Sequence, residues 1–204
     1  MNDGNRGTPV PRPGAGALRR LAARAAEEGP PLAVVAERPA SGPVFAELVA
    51  AGPRTARAPD SYAFVVEAVR EGYLCHYETS RILDRPDPDL ALLAGDLFYA
   101  LGIRALADLE DVESVRMLSD LIRVSAELRS GDLRDAAESI WIATIVALSC
   151  GSDAEYERLS GLFSSGDAAV REALDEWSEA CANSNGLGRI LAEVREAIHF
   201  RSGT

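Results

Sequence analysis

The sequence predicts an all-α protein, seven to nine helices in one compact bundle, and three observations carry that reading. Apolar residues recur at helical spacing, as at positions 112, 115, 118, 121, 122 and 124. Helix punctuation repeats along the chain, with Asp or Ser before the periodic segments and Gly or Pro after them. No run alternates Val, Ile or Thr with polar residues, as a half-buried strand would. The 204 residues, 47% of them hydrophobic, suffice for one domain with its own core.

The elements follow in order. Residues 1–16 are rich in Pro, Gly and Asn and are expected to be a flexible tail, leaving 17–204 as the domain. "ALRRLAARAAEE" (17–28) is an alanine-rich helix stopped by Gly29-Pro30-Pro31. Two short helices are expected before Pro53, broken at Pro39, Gly42 and Pro43. A longer helix over 60–84 starts with an Asp60 or Ser61 cap and carries Glu67, Arg70 and Glu71 on a polar side. It ends at "DRPDPD", where Pro86 and Pro88 forbid continuation. The next helix starts at Asp87 to Asp89 and runs to about Asp108, and another spans 110–131, ended by Gly131. Residues 132–151 open on an Asp cap and stop at Gly151. Two capped helices lie in "DAEYERLSGLFSSG" and "DAAVREALDEWSEACANSNG", and "LGRILAEVREAIHF" closes the chain. There is no internal repeat.

The stretch "LALLAGDLFYALGI" (90–103) poses a problem. Leu92, Tyr99, Ala100 and Ile103 surround Asp96, and Ala94, Phe98, Leu101 and Ala105 lie opposite. A helix apolar all round reads as a buried central helix. Asp96 would then need a buried partner, and Gly95 would let another helix approach closely.

Composition removes several function classes. A formal net charge of −11 argues against broad nucleic-acid binding. All 21 basic residues are arginine, which excludes a catalytic or phosphate-loop lysine. Cys75, Cys150 and Cys181 are odd in number and widely spaced, as free thiols of a reducing compartment would be. The first residues lack an apolar signal core, and the longest apolar run, Ile140 to Cys150, is 11 residues, too short for a bilayer. A soluble cytoplasmic protein without a transmembrane segment is expected, with a place beside a membrane left open.

Chemistry-bearing residues are sparse. In "CHYETSRILD" (75–84), Cys75, His76 and Glu78 are metal-ligand types, but Cys75 and His76 point about 100° apart on a helix, and structural zinc needs four ligands. His199 has no acidic or cysteine neighbour and reads as a surface or packing residue. Neither a Gly-x-Ser-x-Gly elbow nor a glycine-rich phosphate loop occurs. The acidic runs "DLEDVE" (108–113) and "REALDEWSE" (171–179) read as solvated surfaces and caps.

Two pieces taken together resemble a family. "LALLAGDLFYALGIRALADLEDVESVRMLSDLIRVSAEL" is similar to the trans-prenyl diphosphate synthases, in which a Leu-Ala-Gly-Asp segment opens a central helix. One helix upstream those enzymes carry His-Asp-Asp-x-x-Asp, and here "HYETSR" stands in that place. His76 matches, Tyr77 replaces the first aspartate, Glu78 the second and Arg81 the last. The aspartates of the motif hold Mg2+ against an allylic diphosphate, and Mg2+ wants hard anionic oxygens that Tyr77 and Arg81 do not supply. The Arg-Arg-Gly loop and the second aspartate-rich motif of the family are also missing, and the chain is much shorter than a full catalytic subunit.

The resemblance, which covers roughly residues 61–130, is therefore to the small non-catalytic subunit of heterodimeric heptaprenyl or hexaprenyl diphosphate synthases. It implies a shortened isoprenoid-synthase bundle, no catalytic residue and no metal on this chain, and Mg2+ only in the catalytic large subunit that partners it. It further implies support of activity and product length for a quinone (menaquinone) side chain. Gly72 and Tyr73, one turn before the lost motif, are its chain-length positions, Gly72 leaving room for a growing prenyl chain and Tyr73 closing it. Gly95, Asp96 and Tyr99 mark a core helix near the dimer contact, and a homodimer is conceivable when the chain is alone. Two other readings stay open. One is an unrelated all-α interaction or ligand-binding protein. The other is a stand-alone synthase gathering Mg2+ with Glu78, Asp84, Asp87 and Asp89, although Pro86 and Pro88 put the last two in a turn.

Overall fold

Short-range capping chemistry sets four of the helix starts. Asp87, Asp111, Asp153 and Asp167 each accept a hydrogen bond from a backbone N–H two or three residues on, at 2.8–3.2 Å. Such a cap stabilises a helix by about 1 kcal/mol. The computed structural model describes residues 13–34, 44–131, 133–163 and 167–198. Among these lie nine helices: α1 (Pro13–Glu27), α2 (Val44–Ala50), α3 (Pro59–Tyr77), α4 (Pro88–Asp108), α5 (Val112–Ser130), α6 (Arg134–Cys150), α7 (Ala154–Leu162), α8 (Ala168–Ser184) and α9 (Gly188–Ile198). The described residues contain no strand beyond an isolated bridge between Val34 and Leu83. The protein is all-α, as its sequence predicts.

Several boundaries differ from expectation. α1 begins at Pro13, inside the expected tail, whose residues 1–12 lie outside the described residues. Of the two short helices expected before Pro53, α2 is the one seen; residues 35–43 lie outside the description. α6 starts after Leu133, which makes no side-chain cap bond, and the expected cap Asp132 is not described. His199 also falls outside the described residues. The largest departure is α3, which ends at Tyr77 instead of Asp84.

α3 and α6 are the buried helices. Every residue of α6 from Ser139 to Ser149 is buried. Its Trp141 stacks on Phe45 of α2 at 5.6 Å and meets Tyr73 of α3 edge-on at 5.4 Å. That trio anchors the larger core, which also takes Val65, Val66 and Val69 of α3 and Leu118, Leu121 and Val124 of α5. A smaller core lies on the other side of α3. It is built from Leu18, Leu21 and Ala25 of α1, Ile82 and Leu83, Ala94 and Phe98 of α4, and Ala68 and Cys75 of α3.

The expected central helix is peripheral. Only Ala94, Gly95, Phe98, Gly102 and Leu106 of α4 are buried, a single stripe laid on α3. On the opposite side Leu92 is 46% exposed and Leu93 68%, and Asp96, Ala100, Arg104 and Ala107 are exposed with them. α4 is long and apolar enough to cross a membrane by length and composition, but Asp96 and Arg104 interrupt it and the bundle carries it as a packed outer helix.

Candidate functional site

The positions singled out by sequence converge on the C-terminal end of α3. Its polar side is not solvated as expected. Glu67 and Glu71 are completely buried, and so is most of the Arg81 side chain that meets them. Glu71 explains why the helix stops at Tyr77. Its Oε1 accepts from the Ser80 hydroxyl (2.6 Å), the Arg81 N–H (2.7 Å) and the Ile82 N–H (3.2 Å). A buried carboxylate that collects those donors draws residues 80–82 back along α3, which a continuing helix could not allow.

Arg81 closes the clasp. Its Nε donates to Glu71 Oε2 at 2.9 Å, and its Nη2 lies 2.8 Å from Glu67 Oε2, an ion pair without hydrogen-bond alignment. Burial works to lower the Arg81 pKa, but the carboxylates of Glu67 and Glu71 raise it overall, so the guanidinium stays charged. Burial also pushes Glu67 above the usual carboxylate range, against the pull of Arg81. Glu67 has one other donor, the Ala46 N–H at 3.3 Å.

The remaining motif positions are engaged as well. Arg129 of α5 donates to the Tyr73 hydroxyl (2.8 Å) and pairs with Glu78. Its guanidinium also faces the Tyr73 and Tyr77 rings at 5.2 and 5.6 Å. Arg70 lies over Tyr73 (4.9 Å), Trp141 (5.2 Å) and Phe45 (5.8 Å), and burial lowers its pKa. His76 Nε2 bonds Asp96 Oδ1 at 3.1 Å, and its ring stacks on Tyr99 at 5.4 Å. Asp96 therefore has a partner, but not a buried one, because its side chain is 73% exposed.

Glycines let α3 and α4 meet this closely. A Cβ on Gly95 would sit 2.6 Å from His76 Cδ2, and one on Gly72 would sit 2.5 Å from the Tyr99 ring. Gly95 does admit a neighbouring helix, as expected. The room expected beside Gly72 is filled by Tyr99, and Tyr73 is fully buried in the larger core.

The residues do not fit a magnesium site. Arg81 places a cation where the motif needs a carboxylate, Glu78 is neutralised by Arg129, and Tyr77 packs on Tyr73 with ring centroids 5.1 Å apart. Asp87 caps α4 and Asp84 pairs with Arg85, so neither is turned to Glu78 by a shared contact. No group of three or more His, Cys, Asp or Glu able to hold a metal occurs among the described residues. The Cys75 thiol is buried and pushed up to about 12, first by burial, which leaves it a packing residue.

Sequence reasoning missed two features. One is the clasp Glu67–Arg81–Glu71. The local pattern pointed the other way, because Glu67 and Glu71, four residues apart, share one helix face with Asp60 and Glu78 and read as a polar side. The other is Asp111: its run reads as solvated surface and caps, and Asp111 does cap α5, but it is also enclosed by further donors. It accepts from Tyr62 (2.6 Å), the Ser114 hydroxyl (2.7 Å) and Arg54 (2.8 Å). Burial opposes the shift, yet these donors hold its carboxyl down to about 2.

With clasp, glycine seam and open α4 face in place, the chain is an all-α protein whose His76, Glu78 and Arg81 side chains bond to partners within the chain. No family model, curated protein or solved structure matches it.

Proposed function

We propose that this chain is the non-catalytic partner subunit of a heterodimeric long-chain trans-prenyl diphosphate synthase, supporting activity and product length for a quinone (menaquinone) side chain. One observation supports this most. The positions at which the resembling enzymes hold metal and diphosphate are occupied here by interactions inside the chain: Arg81 with Glu67 and Glu71, Glu78 with Arg129, and His76 with Asp96. Such a subunit acts by binding, and the apolar outer face of α4 is the surface it offers. Tyr99 fills the space beside Gly72, so on this reading the prenyl chain grows within the partner, which also carries the Mg2+.

The test is reconstitution with a polyprenyl diphosphate synthase encoded in the same genome. Mg2+-dependent condensation of isopentenyl diphosphate with farnesyl diphosphate should be absent with this chain alone. It should be restored or lengthened in product when the two are mixed. A catalytic subunit equally active and unchanged in product length without this chain refutes the proposal. The exposed Leu92 and Leu93 also favour a second reading, an interaction protein with no prenyltransferase role. Binding to another protein without any effect on prenyl transfer would select it.

A further inference from the structure

Cys150 and Cys181 stand far apart in the sequence and meet in the fold. Cys150 is the last residue of α6, and Cys181 lies in the last turns of α8. Their sulfurs share a hydrogen bond at the edge of the larger core. Both are free thiols and half-buried, whereas Cys75 is enclosed in the smaller core. The approach is fixed by contacts one turn away. Asp153, just beyond Cys150, caps α7. Trp177, one helical turn before Cys181 on the same face of α8, donates through Nε1 to both Asp153 carboxylate oxygens, at 3.0 and 3.1 Å. Its ring also lies 5.1 Å from that of Tyr156 in α7. These contacts pin α8 to the junction of α6 and α7 and set one sulfur against the other. On the next turn of α8, the Asn185 side-chain amide donates to the Cys181 carbonyl oxygen at 2.8 Å and to its Sγ at 3.9 Å.

Two thiols in contact, outside any metal-holding group among the described residues, are arranged for oxidation to a disulfide. Side-chain rotation and a slight closing of the two sulfurs would bring them to the about 2.05 Å of that bond. We infer that Cys150 and Cys181 are a modification site, a reversible disulfide that hydrogen peroxide forms and a dithiol reduces, locking the end of α6 to α8. Cys181, whose sulfur has the Asn185 donor, attacks one peroxide oxygen as the thiolate. The O–O bond breaks, the sulfur becomes a sulfenic acid, and the departing hydroxide takes up the proton that Cys181 released. Cys150 then attacks that sulfur. The S–S bond forms, the S–O bond breaks, and the second hydroxide leaves as water with the Cys150 proton. Two thiols lose two electrons and two protons, and the peroxide becomes two waters. Burial pushes the Cys150 thiol up to about 12 and raises that of Cys181 as well, so the bond forms slowly, over hours. Once formed, it closes the segment carrying α7 and most of α8 into a loop, which restricts the unfolded chain. In a reducing compartment such a bond is transient and reports oxidation. The site is independent of any role in prenyl transfer.

Thiol labelling of the full chain tests it. The reduced protein is treated with hydrogen peroxide for several hours, then unfolded in iodoacetamide and weighed by mass spectrometry. Reduced protein should take three labels and oxidised protein one, on Cys75. Proteolytic mapping should find the Cys150 and Cys181 peptides joined, and dithiothreitol should part them. Oxidised protein should melt roughly 5–15 °C above reduced protein. Cys150→Ala and Cys181→Ala, treated alike, should each lack both the link and the shift. The link itself is read on the wild-type chain, so it is decided even where a variant folds poorly. Three labels after oxidation overturn the inference, as does a link through Cys75 or between two chains. So does a sulfinic acid at Cys181 in place of the link, or oxidised wild type that melts no higher than reduced protein.

Discussion

Removing the Arg81 guanidinium should strand a buried charge, and the structure shows where the loss falls. In Arg81→Met, Glu71 keeps three donors: the Ser80 hydroxyl and the N–H groups of residues 81 and 82. Glu67 keeps only the Ala46 N–H, at a long 3.3 Å, while completely buried. Breaking a buried ion pair from one side costs about 3–5 kcal/mol. In a chain of this size that lowers the melting temperature by roughly 6–20 °C. The loss has a pH signature. The folded-state pKa of Glu67 is already raised by burial and rises further without Arg81. A carboxyl whose folded pKa exceeds its unfolded value, about 4.3, destabilises the fold progressively as pH rises from there through the folded value. The variant should therefore recover stability, relative to wild type, as pH is lowered from 7 to 5. Adding Glu67→Gln should recover part of the loss at pH 7 and remove this pH dependence. Thermal melts followed by circular dichroism at both pH values, for wild type, single and double variants, decide the matter. A loss under about 1 kcal/mol at pH 7, or one identical at pH 5 and unaffected by Glu67→Gln, would refute the reasoning.

Three further outcomes are expected. Gly72→Ala should cost about 1–3 kcal/mol although alanine is the better helix former, because the new Cβ lands on Tyr99 and on the Gly95 carbonyl oxygen. Gly161→Ala, in α7 with nothing within 4 Å of the new Cβ, should leave stability unchanged or raise it by up to about 1 kcal/mol; paired melts check both. The Asp111 carboxyl, held down to about 2, contributes stability present above its unfolded pKa and lost as pH falls through about 2. Asp111→Asn should cost about 2 kcal/mol at neutral pH and flatten urea midpoints between pH 4 and 2 or so.

What could be read from the sequence was local. The Asp caps of α4, α7 and α8 and the stops at Gly131 and Gly151 depend on chemistry within a few residues, and they stand where the sequence puts them. Gly151, at φ 112°, is a conformation other residues rarely adopt. The end of α3 was not local. Nothing in "YETSRILD" forbids a helix; the break comes from a carboxylate nine to eleven residues upstream. The placement of α4 failed for another reason. Hydrophobicity all round a helix states what could be covered, not what is, and only the side bearing Gly95, Phe98 and Gly102 found a cover. The identity of the candidate site was legible as a set of departures from a motif. That those departures close on one another through Arg81 and Arg129 required coordinates.

The two cores on either side of α3 differ in size, and α4 reaches both, with Ala94 and Phe98 in the smaller and Leu106 in the larger. Lifting the first turns of α4 would uncover Ala94, Phe98, Cys75 and the α1 leucines, while the stack of Phe45, Trp141 and Tyr73 lies in the other core. The smaller core holds less buried apolar surface and therefore opens at lower free energy. Amide hydrogens of α1 and of the first turns of α4 should exchange with solvent well before those of α6. Anything that grips the outer face of α4 consequently pulls first on the half of the protein that yields most readily, while α6 continues to hold the rest of the bundle closed.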